Sequence, residues 1–230
     1  MIKAVVFDLD NTIYNYDECH IVAMKQLEEY VCDKYGVNKV DFRKNFELAK
    51  VEVKKLLGNT GASHNRMLYM QIFLEKINQS PVEDALELYD IYWRAMLEKM
   101  TPFKYVMPLM KQLKHRKIEI GILTDLTAHI QHRKIKKLCI TEYIDAIVTS
   151  EEVGAEKPSS IAFSRIIQKL HCNPEEILMI GDSQKKDIDG AVNVGMRGML
   201  FLESYKDTMD ERVMDSNDLE KERGITVNSR

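Results

Sequence analysis

Short, continuously apolar runs alternate with amphipathic stretches along much of this chain. Continuous runs, rather than runs of alternating hydrophobicity, are typical of strands that are buried on both faces of a sheet. The five predicted strands are Ile2–Phe7, Ile118–Leu123, Ala146–Thr149, Ile177–Ile180 and Met199–Leu202. The helices predicted between the later strands are Thr127–Lys137, Ser159–Leu170 and Lys185–Val194. This alternation predicts an α/β fold with a parallel sheet.

The chain between the first two predicted strands has a different pattern. Residues 16–100 contain no strand signal, and apolar residues recur there every three or four positions, most clearly in Val82–Lys99. Ser80, Pro81 and Glu83 supply an N-cap, a proline at the first helical position and a capping-box acid. The other helices predicted here are about 17–35, 41–57 and 65–78. We therefore expect two domains, a parallel-sheet core formed by residues 1–15 and 101–230 and an inserted helical bundle at 16–100.

The composition argues against nucleic acid and membrane as binding partners. The 230 residues include 33 Lys and Arg against 36 Asp and Glu, a net charge of −3 that lacks the basic excess of a nucleic-acid binder. No run of about 20 apolar residues is present, so no membrane span is expected. The four cysteines form no CxxC pair, which is typical of reduced thiols in a cytoplasmic protein. The oligomeric state stays open.

Four charged or terminal stretches have structural interpretations only, and the role of residues 203–223 stays open. Lys111–Lys117 and Arg133–Lys137 are interpreted as solvated faces of amphipathic helices. Glu203–Arg223 is interpreted as a solvated helix or loop, and Ile225–Val227 as a last edge strand.

Polar residues follow four of the predicted strands, where each strand ends. In an open parallel sheet, ligands bind beyond the carboxyl ends of the strands, so these residues are expected to share one rim. Taken strand by strand, they are Asp8 and Asp10, then Thr124 and Asp125, then Lys157, and finally Asp182, Ser183 and Asp187.

This combination of side chains indicates phosphate chemistry. Clustered carboxylates repel one another unless a cation neutralises them, and oxygen ligands favour Mg²⁺. A hydroxyl, a lysine and backbone N–H groups suit the oxygens of a phosphate. Asp8 and Asp10 lie two residues apart and share one side of an extended chain. One carboxylate can therefore attack phosphorus while the other transfers protons.

The same four segments resemble the four motifs of the haloacid dehalogenase superfamily. The matching segments are Phe7–Thr12, Ile122–Asp125, Lys157–Pro158, and Ile180–Ser183 with Asp187. The helical block resembles the helical cap of that superfamily, and the core resembles its Rossmann-like sheet. The resemblance covers essentially the whole chain.

The resemblance implies a role for each motif residue. It makes Asp8 the nucleophile and Asp10 the general acid and base. The implied Mg²⁺ ligands are Asp8, Asp182 and the backbone carbonyl of Asp10. The implied phosphate-binding groups are Thr124, Lys157 and the backbone N–H groups of Leu9 and Asp125. The implied supporting residues are Thr12, Ser183 and Asp187. The chain departs from the usual motifs at Asn11, Asp125 and Lys186, where glycine, asparagine and asparagine are frequent.

Asp10 bears on the choice among activities. A halide leaving group needs no proton, whereas an alkoxide leaving phosphorus does, so an acid at this position favours phosphoryl transfer over dehalogenation. We predict a Mg²⁺-dependent phosphatase whose substrate is a small phosphorylated metabolite of the sugar phosphate or nucleotide class. A phosphomutase of the β-phosphoglucomutase type is the alternative. A catalytically silent binding protein is a more distant one, because no motif carboxylate is missing.

One polar cluster in the helical block is a candidate for substrate binding. Ser63, His64, Asn65 and Arg66 precede an apolar helix, and His64 and Arg66 are the candidate substrate contacts. The alternative is that Ser63 caps the helix while His64 and Arg66 are solvated in its first turn.

Overall fold

The computed structural model describes residues 1–201, which form two compact units. One unit comprises Met1–Asn15 together with the chain from Thr101 onward, and the other comprises Tyr16–Met100. We call them the sheet unit and the helical unit.

The sheet unit is built on five parallel strands. They are β1 (Ala4–Phe7), β2 (Glu119–Thr124), β3 (Ala146–Thr149), β4 (Ile177–Gly181) and β5 (Arg197–Leu200). Their order across the sheet is β3-β2-β1-β4-β5, so β1 is central. Phe7, the last residue of β1, pairs with Ile122 on one side and Ile180 on the other. The predicted parallel α/β fold is confirmed, and the carboxyl ends of β1, β2 and β4 meet at one edge.

The helical unit contains four helices and a short 3₁₀ turn. The helices are α1 (Tyr16–Tyr35), α2 (Lys39–Leu57), α3 (Arg66–Lys76) and α4 (Pro81–Lys99), and the turn is Gly61–His64. Ser80 caps α4 by accepting a hydrogen bond from the Glu83 N–H, with Pro81 at the first helical position, as the sequence predicts. Aromatic rings of α2, α3 and α4 make its core, and these are Phe42, Phe46, Tyr69, Phe73, Tyr92 and Trp93.

Within the described residues, the sheet unit contains five more α-helices. They are α5 (Val106–His115), α6 (Ala128–Lys137), α7 (Ser150–Val153), α8 (Ser160–Leu170) and α9 (Gly190–Asn193). A π-helical turn, Gln184–Asp189, runs directly into α9. The predicted helix Lys185–Val194 is therefore a π-helical turn followed by a short α-helix. Among residues 1–201, no helix combines the length and the apolar character that crossing a bilayer requires.

The central strands β1 and β4 are buried on both faces because helices pack against the sheet. Every residue of β1 and β4 is buried. Phe163 of α8 lies in the apolar cluster under the sheet, and its ring fills the space that a side chain at Gly190 would occupy. A Cβ added at Gly190 would lie 2.5 Å from that ring, so only glycine fits there.

The last strand differs from its prediction. The strand pairs with β4 over Arg197–Leu200 and so begins two residues earlier than the predicted Met199. The prediction followed the apolar run, and Arg197 and Gly198 do not belong to that run. Leu202, the charged stretch Glu203–Arg223 and the predicted strand Ile225–Val227 lie outside the described residues.

Removing the Phe163 ring is expected to destabilise the sheet unit by about 3–5 kcal/mol, because a Phe→Ala change leaves a cavity in a fully buried cluster. Urea unfolding of Phe163→Ala followed by circular dichroism measures the loss. Ile161→Ala in the same helix is the matched control, since Ile161 is 57% exposed and surface changes cost about 0.5 kcal/mol or less. Equal losses in the two variants would show that α8 does not pack as described.

Candidate active site at the carboxyl edge of the sheet

The first loop of the site continues directly from β1. The Asp8 N–H donates to the Ile180 carbonyl at 2.9 Å, which ties the start of the loop to β4. Asn11 has a φ of 61°, a left-handed conformation that asparagine tolerates better than most residues with a side chain. This explains why asparagine can stand where glycine is frequent. The turn brings the Thr12 hydroxyl to 3.4 Å from Asp8 Oδ2.

A buried lysine joins two buried carboxylates at this edge. Lys157 Nζ lies 2.5 Å from Asp8 Oδ1 and 2.6 Å from Asp187 Oδ1. All three residues are buried. Burial lowers the pKa of Lys157 and the two carboxylates raise it, with a net upward shift, so the ammonium is retained. The second oxygen of Asp187 accepts the Ser183 N–H at 3.0 Å, so both oxygens of Asp187 are engaged.

Asp182 completes a cluster of three carboxylates. One oxygen each from Asp8, Asp182 and Asp187 lies within 4.8 Å of the others. Although Asp182 is exposed as a residue, desolvation of its carboxyl and the neighbouring charge of Asp187 raise its pKa to about 6. Desolvation is also the main cause that raises the pKa of Asp8, against the opposing effect of Lys157. Such a group of oxygen donors suits a hard divalent cation.

Asp10 lies apart from that cluster and has its own cation. Lys134 Nζ lies 2.7 Å from Asp10 Oδ1 and 2.9 Å from Oδ2, and the Tyr14 hydroxyl donates to Oδ1 at 2.6 Å. The side chain of Lys134 is completely buried. The interpretation of Arg133–Lys137 as a wholly solvated face is therefore wrong at Lys134, because this lysine points inward to pair with Asp10. The stretch 111–117, apart from Leu113, is partly or fully exposed, as predicted.

Thr124 ends β2 with a buried hydroxyl that α6 holds in place. Gln131 Nε2 donates to Thr124 Oγ1 at 2.6 Å and to the Asp125 carbonyl at 2.7 Å. Leu9 is fully buried, and its carbonyl accepts the Ile13 N–H in the turn after β1.

Two departures from the usual motifs pair with each other. Asp125 Oδ2 lies 2.9 Å from Lys186 Nζ, and Asp125 Oδ1 accepts the Lys157 N–H at 3.1 Å. The Asp125 carboxylate is thus occupied by a cation and a backbone donor, rather than left as an uncompensated charge. Ser183 caps the π-helical turn by accepting the Lys186 N–H at 3.2 Å.

Sequence reasoning missed Lys134, Gln131 and Tyr14. The signal for the first two was in the helical periodicity of α6, because Ile130, Ile135 and Leu138 mark its buried stripe. Gln131 and Lys134 lie on that stripe, three residues apart. Polar residues on an apolar stripe are candidates for buried hydrogen-bonding roles.

His64 and Arg66 lie in the helical unit, His64 at the end of the 3₁₀ turn and Arg66 as the first residue of α3. Asn65, not Ser63, caps α3, since its side chain accepts the Met67 N–H at 2.9 Å. Arg66 is buried, with only 8% of its surface exposed, and His64 is partly exposed. The alternative in which Ser63 caps the helix and Arg66 is solvated is therefore wrong. Arg66 is instead enclosed by tyrosine rings.

Comparison with known proteins identifies the family. The family model described as haloacid dehalogenase-like hydrolase matches residues 5–201. A ribulose-1,5-bisphosphate 5-phosphatase from Halopiger xanaduensis is 38% identical over 87% of this chain and 85% of its own length. A glyceraldehyde 3-phosphate phosphatase from Methanocaldococcus jannaschii is 28% identical over 94% of this chain and 92% of its own length. The structure of a phosphatase of this type from Thermococcus onnurineus has a TM-score of 0.66 at 26% identity, over 87% of this chain and 86% of that one.

The chain therefore belongs to the haloacid dehalogenase-like hydrolase family. Within that family, its similarity to named phosphatases makes it a phosphatase.

Removal of the Lys157 ammonium is expected to destabilise the protein in a pH-dependent way. Lys157→Met leaves Asp8 and Asp187 without their cation, and breaking a buried ion pair costs about 3–5 kcal/mol. The loss is expected in full at about pH 7.5 and to shrink towards about pH 5, because the unpaired Asp8 carboxylate, whose pKa burial raises, then takes up a proton whose binding favours the folded state. Urea unfolding in the presence of EDTA at both pH values measures it.

Lys186→Met serves as the control for this change. Its side chain is 44% exposed and pairs with Asp125, so a loss of less than about 1 kcal/mol is expected at both pH values. A loss that is the same for Lys157→Met at both pH values would contradict the assigned pairing.

Proposed function

We propose that this protein is a Mg²⁺-dependent phosphatase that hydrolyses a small phosphorylated metabolite, of the sugar phosphate or nucleotide class, through a phosphorylated Asp8. The observation that supports this most is the meeting of the Asp8, Asp182 and Asp187 carboxylates with the Lys157 ammonium at one sheet edge. The named activities of the relatives, on a sugar bisphosphate and a triose phosphate, support a small phosphorylated substrate.

The residues fall into three roles in this proposal. Asp8 attacks phosphorus, and Asp10 transfers protons. The residues that would hold Mg²⁺ are Asp8 and Asp182, through carboxylate oxygens, and Asp10, through its backbone carbonyl, while Asp187, whose two oxygens are already engaged, orients Lys157. Bound Mg²⁺ supplies positive charge to phosphate oxygens that would otherwise be repelled by the carboxylates. The proposed phosphate contacts are Thr124, Lys157 and the N–H groups of Leu9 and Asp125, with Thr12 and Ser183 in support.

Hydrolysis then proceeds in two steps. In the first, a bond forms between Asp8 Oδ and phosphorus, the ester P–O bond breaks, and the leaving oxygen takes a proton from Asp10. In the second, water gives a proton to Asp10 and attacks phosphorus, which releases inorganic phosphate and frees Asp8. Lys134 and Tyr14 hold the Asp10 carboxylate in a fixed orientation for both transfers.

The activities that we set aside differ in what they release. A phosphomutase would return the phosphoryl group to the sugar, whereas the proposed hydrolase releases inorganic phosphate; the relatives reported above are named phosphatases. A silent binding protein would release none. Incubation with a panel of phosphorylated metabolites, scored for inorganic phosphate and for isomerised sugar phosphate, distinguishes the three and identifies the substrate. We propose the helical unit as the part that selects the substrate, with His64 and Arg66 as the contacts.

Substituting Asp10 is expected to separate the two steps. Asp10→Asn should slow hydrolysis of an alkyl phosphate about 100- to 10,000-fold, because the leaving alkoxide loses its proton donor. With p-nitrophenyl phosphate, whose leaving group needs no proton, the first step should persist and phosphorylated enzyme should accumulate. Rapid-quench measurement of p-nitrophenol and phosphoprotein tests this.

Asp8→Asn is the companion variant, and it should form no phosphoenzyme with either substrate. Phosphate found on another residue, or Asp10→Asn slowing both substrates equally in the first step, would refute the assignment of the two acids.

Mg²⁺ is expected to be required for turnover and to stabilise the folded protein. EDTA should abolish hydrolysis, since a phosphate dianion would otherwise face three carboxylates. The rise in Tm on adding Mg²⁺ should be larger at about pH 7.5 than at about pH 5. The reason is that the pKa of Asp182 is about 6, so a proton competes with the cation at the lower pH.

Asp182→Asn is expected to lose most of the Mg²⁺-induced rise in Tm at the higher pH. Hydrolysis that survives exhaustive chelation would show that the proposed metal dependence is wrong.

A further inference from the structure

A pocket inside the helical unit encloses a buried arginine, Arg66. The cavity has a volume of about 300 Å³ and lies between α1, α2 and the start of α3. Its charged and titratable lining includes one carboxylate, Glu47, together with His20, Lys50, Lys54, His64 and Arg66.

Arg66 is the central feature of this pocket. Its guanidinium donates to the His64 carbonyl at 2.8 Å and to the Tyr16 hydroxyl at 2.5 Å. It also lies over the rings of Tyr69 and Tyr92, 5.3 and 5.7 Å from their centroids. These contacts fix its orientation, but all four partners are formally neutral. Within residues 1–201, no carboxylate forms an ion pair with Arg66.

A buried cation without a counter-ion is costly. Burial of a charge is normally compensated by an opposite charge, and neutral hydrogen bonds and ring faces offset only part of the cost. The position of Arg66 adds to the cost, because it is the first residue of α3, where the helix dipole is positive. Both effects would be relieved by an anion in the pocket.

Other residues of the pocket reinforce its positive potential. Lys54 adds an ammonium at the rim, and Lys50 a second one that is paired with Glu47 at 2.7 Å. Burial, followed by the charges of Arg66 and Lys50, lowers the pKa of His20 to about 4. The charge of Asp17 opposes this shift with a smaller effect. His20 Nδ1 lies 2.7 Å from the Tyr92 hydroxyl.

We propose that this pocket binds the phosphate group of a phosphorylated metabolite, with Arg66 as the main contact and Lys54 as a rim contact. A guanidinium fork, a nearby ammonium and the N-terminal end of a helix are together suited to a dianionic phosphate. The phosphate has two possible sources, a second phosphate on the substrate or a separate phosphorylated effector. The first source rests on the proposed function, whereas binding itself does not.

Direct binding is tested on the full chain with inorganic phosphate as the probe. Protein labelled on its histidine rings is titrated with phosphate, and the His20 signal, assigned with His20→Gln, is followed by NMR. We expect a saturable shift and a rise in the His20 pKa. Arg66→Met should weaken this response about 10- to 100-fold, the effect of one charge-assisted contact.

Matched lysine variants keep the test decisive if Arg66→Met does not fold. Lys54→Gln should weaken the response several-fold, whereas Lys55→Gln, an exposed neighbour that does not line the pocket, should leave it unchanged. An absent His20 response, or one equally strong in wild type and Lys54→Gln, would overturn the proposal.

Kinetics distinguish the two sources of the phosphate. The kcat/KM ratio for a sugar bisphosphate over the matching monophosphate is compared in wild type, Lys54→Gln and Lys55→Gln, with p-nitrophenyl phosphate as reference. A ratio that falls only in Lys54→Gln identifies the second substrate phosphate as the ligand. An unchanged ratio with a weakened NMR response identifies a separate effector. Loss of the proposed function would instead show as no hydrolysis of any ester by wild type, with the NMR response intact.

Discussion

The contact of Lys157 with Asp8 and Asp187 is the interaction on which the rest of the site depends. Strands β1 and β4 are buried on both faces, and the carboxylates of Asp8 and Asp187 that follow them are removed from water, so each needs a compensating charge. One ammonium supplies this charge to both carboxylates, at 2.5 and 2.6 Å. The close approach needs Gly181, because a Cβ there would lie 2.3 Å from the Asp187 carboxyl carbon.

Charge counting explains why this arrangement is also suited to a metal. Three clustered carboxylates and one ammonium leave two negative charges when all are ionised. Desolvation first, and then the negative charge of Asp187, raise the pKa values of Asp8 and Asp182 against the opposing charge of Lys157. A divalent cation supplies the compensating charge without removing the nucleophilic form of Asp8. The coupling of protein stability, pH and metal therefore has one electrostatic origin.

Much of this site could be predicted from the sequence, because each motif residue directly follows a buried strand. Parallel strands share one carboxyl edge, so placing Asp8, Thr124 and Asp182 on strand ends also places them together. The Lys134–Asp10 pair could not be found in this way, since α6 contributes a residue from mid-helix whose inward direction depends on packing. The pairing of Asp125 with Lys186 was equally hidden, because the two residues are 61 positions apart. Each residue alone departs from the usual motif, and the positive charge of Lys186 compensates the negative charge of Asp125.

The three buried cationic side chains among the described residues differ in how their charge is compensated. Lys157 faces two carboxylates and Lys134 faces both oxygens of one, so each is compensated inside the sheet unit. Arg66 is buried in the helical unit with only hydroxyl, carbonyl and ring partners among the described residues. A structural arginine of this kind could be replaced by an apolar residue at a gain in stability, as buried ion pairs often can. The orientation that Tyr16 and the His64 carbonyl impose on its guanidinium is therefore better explained by an anion that arrives from outside than by the folding of the helical unit.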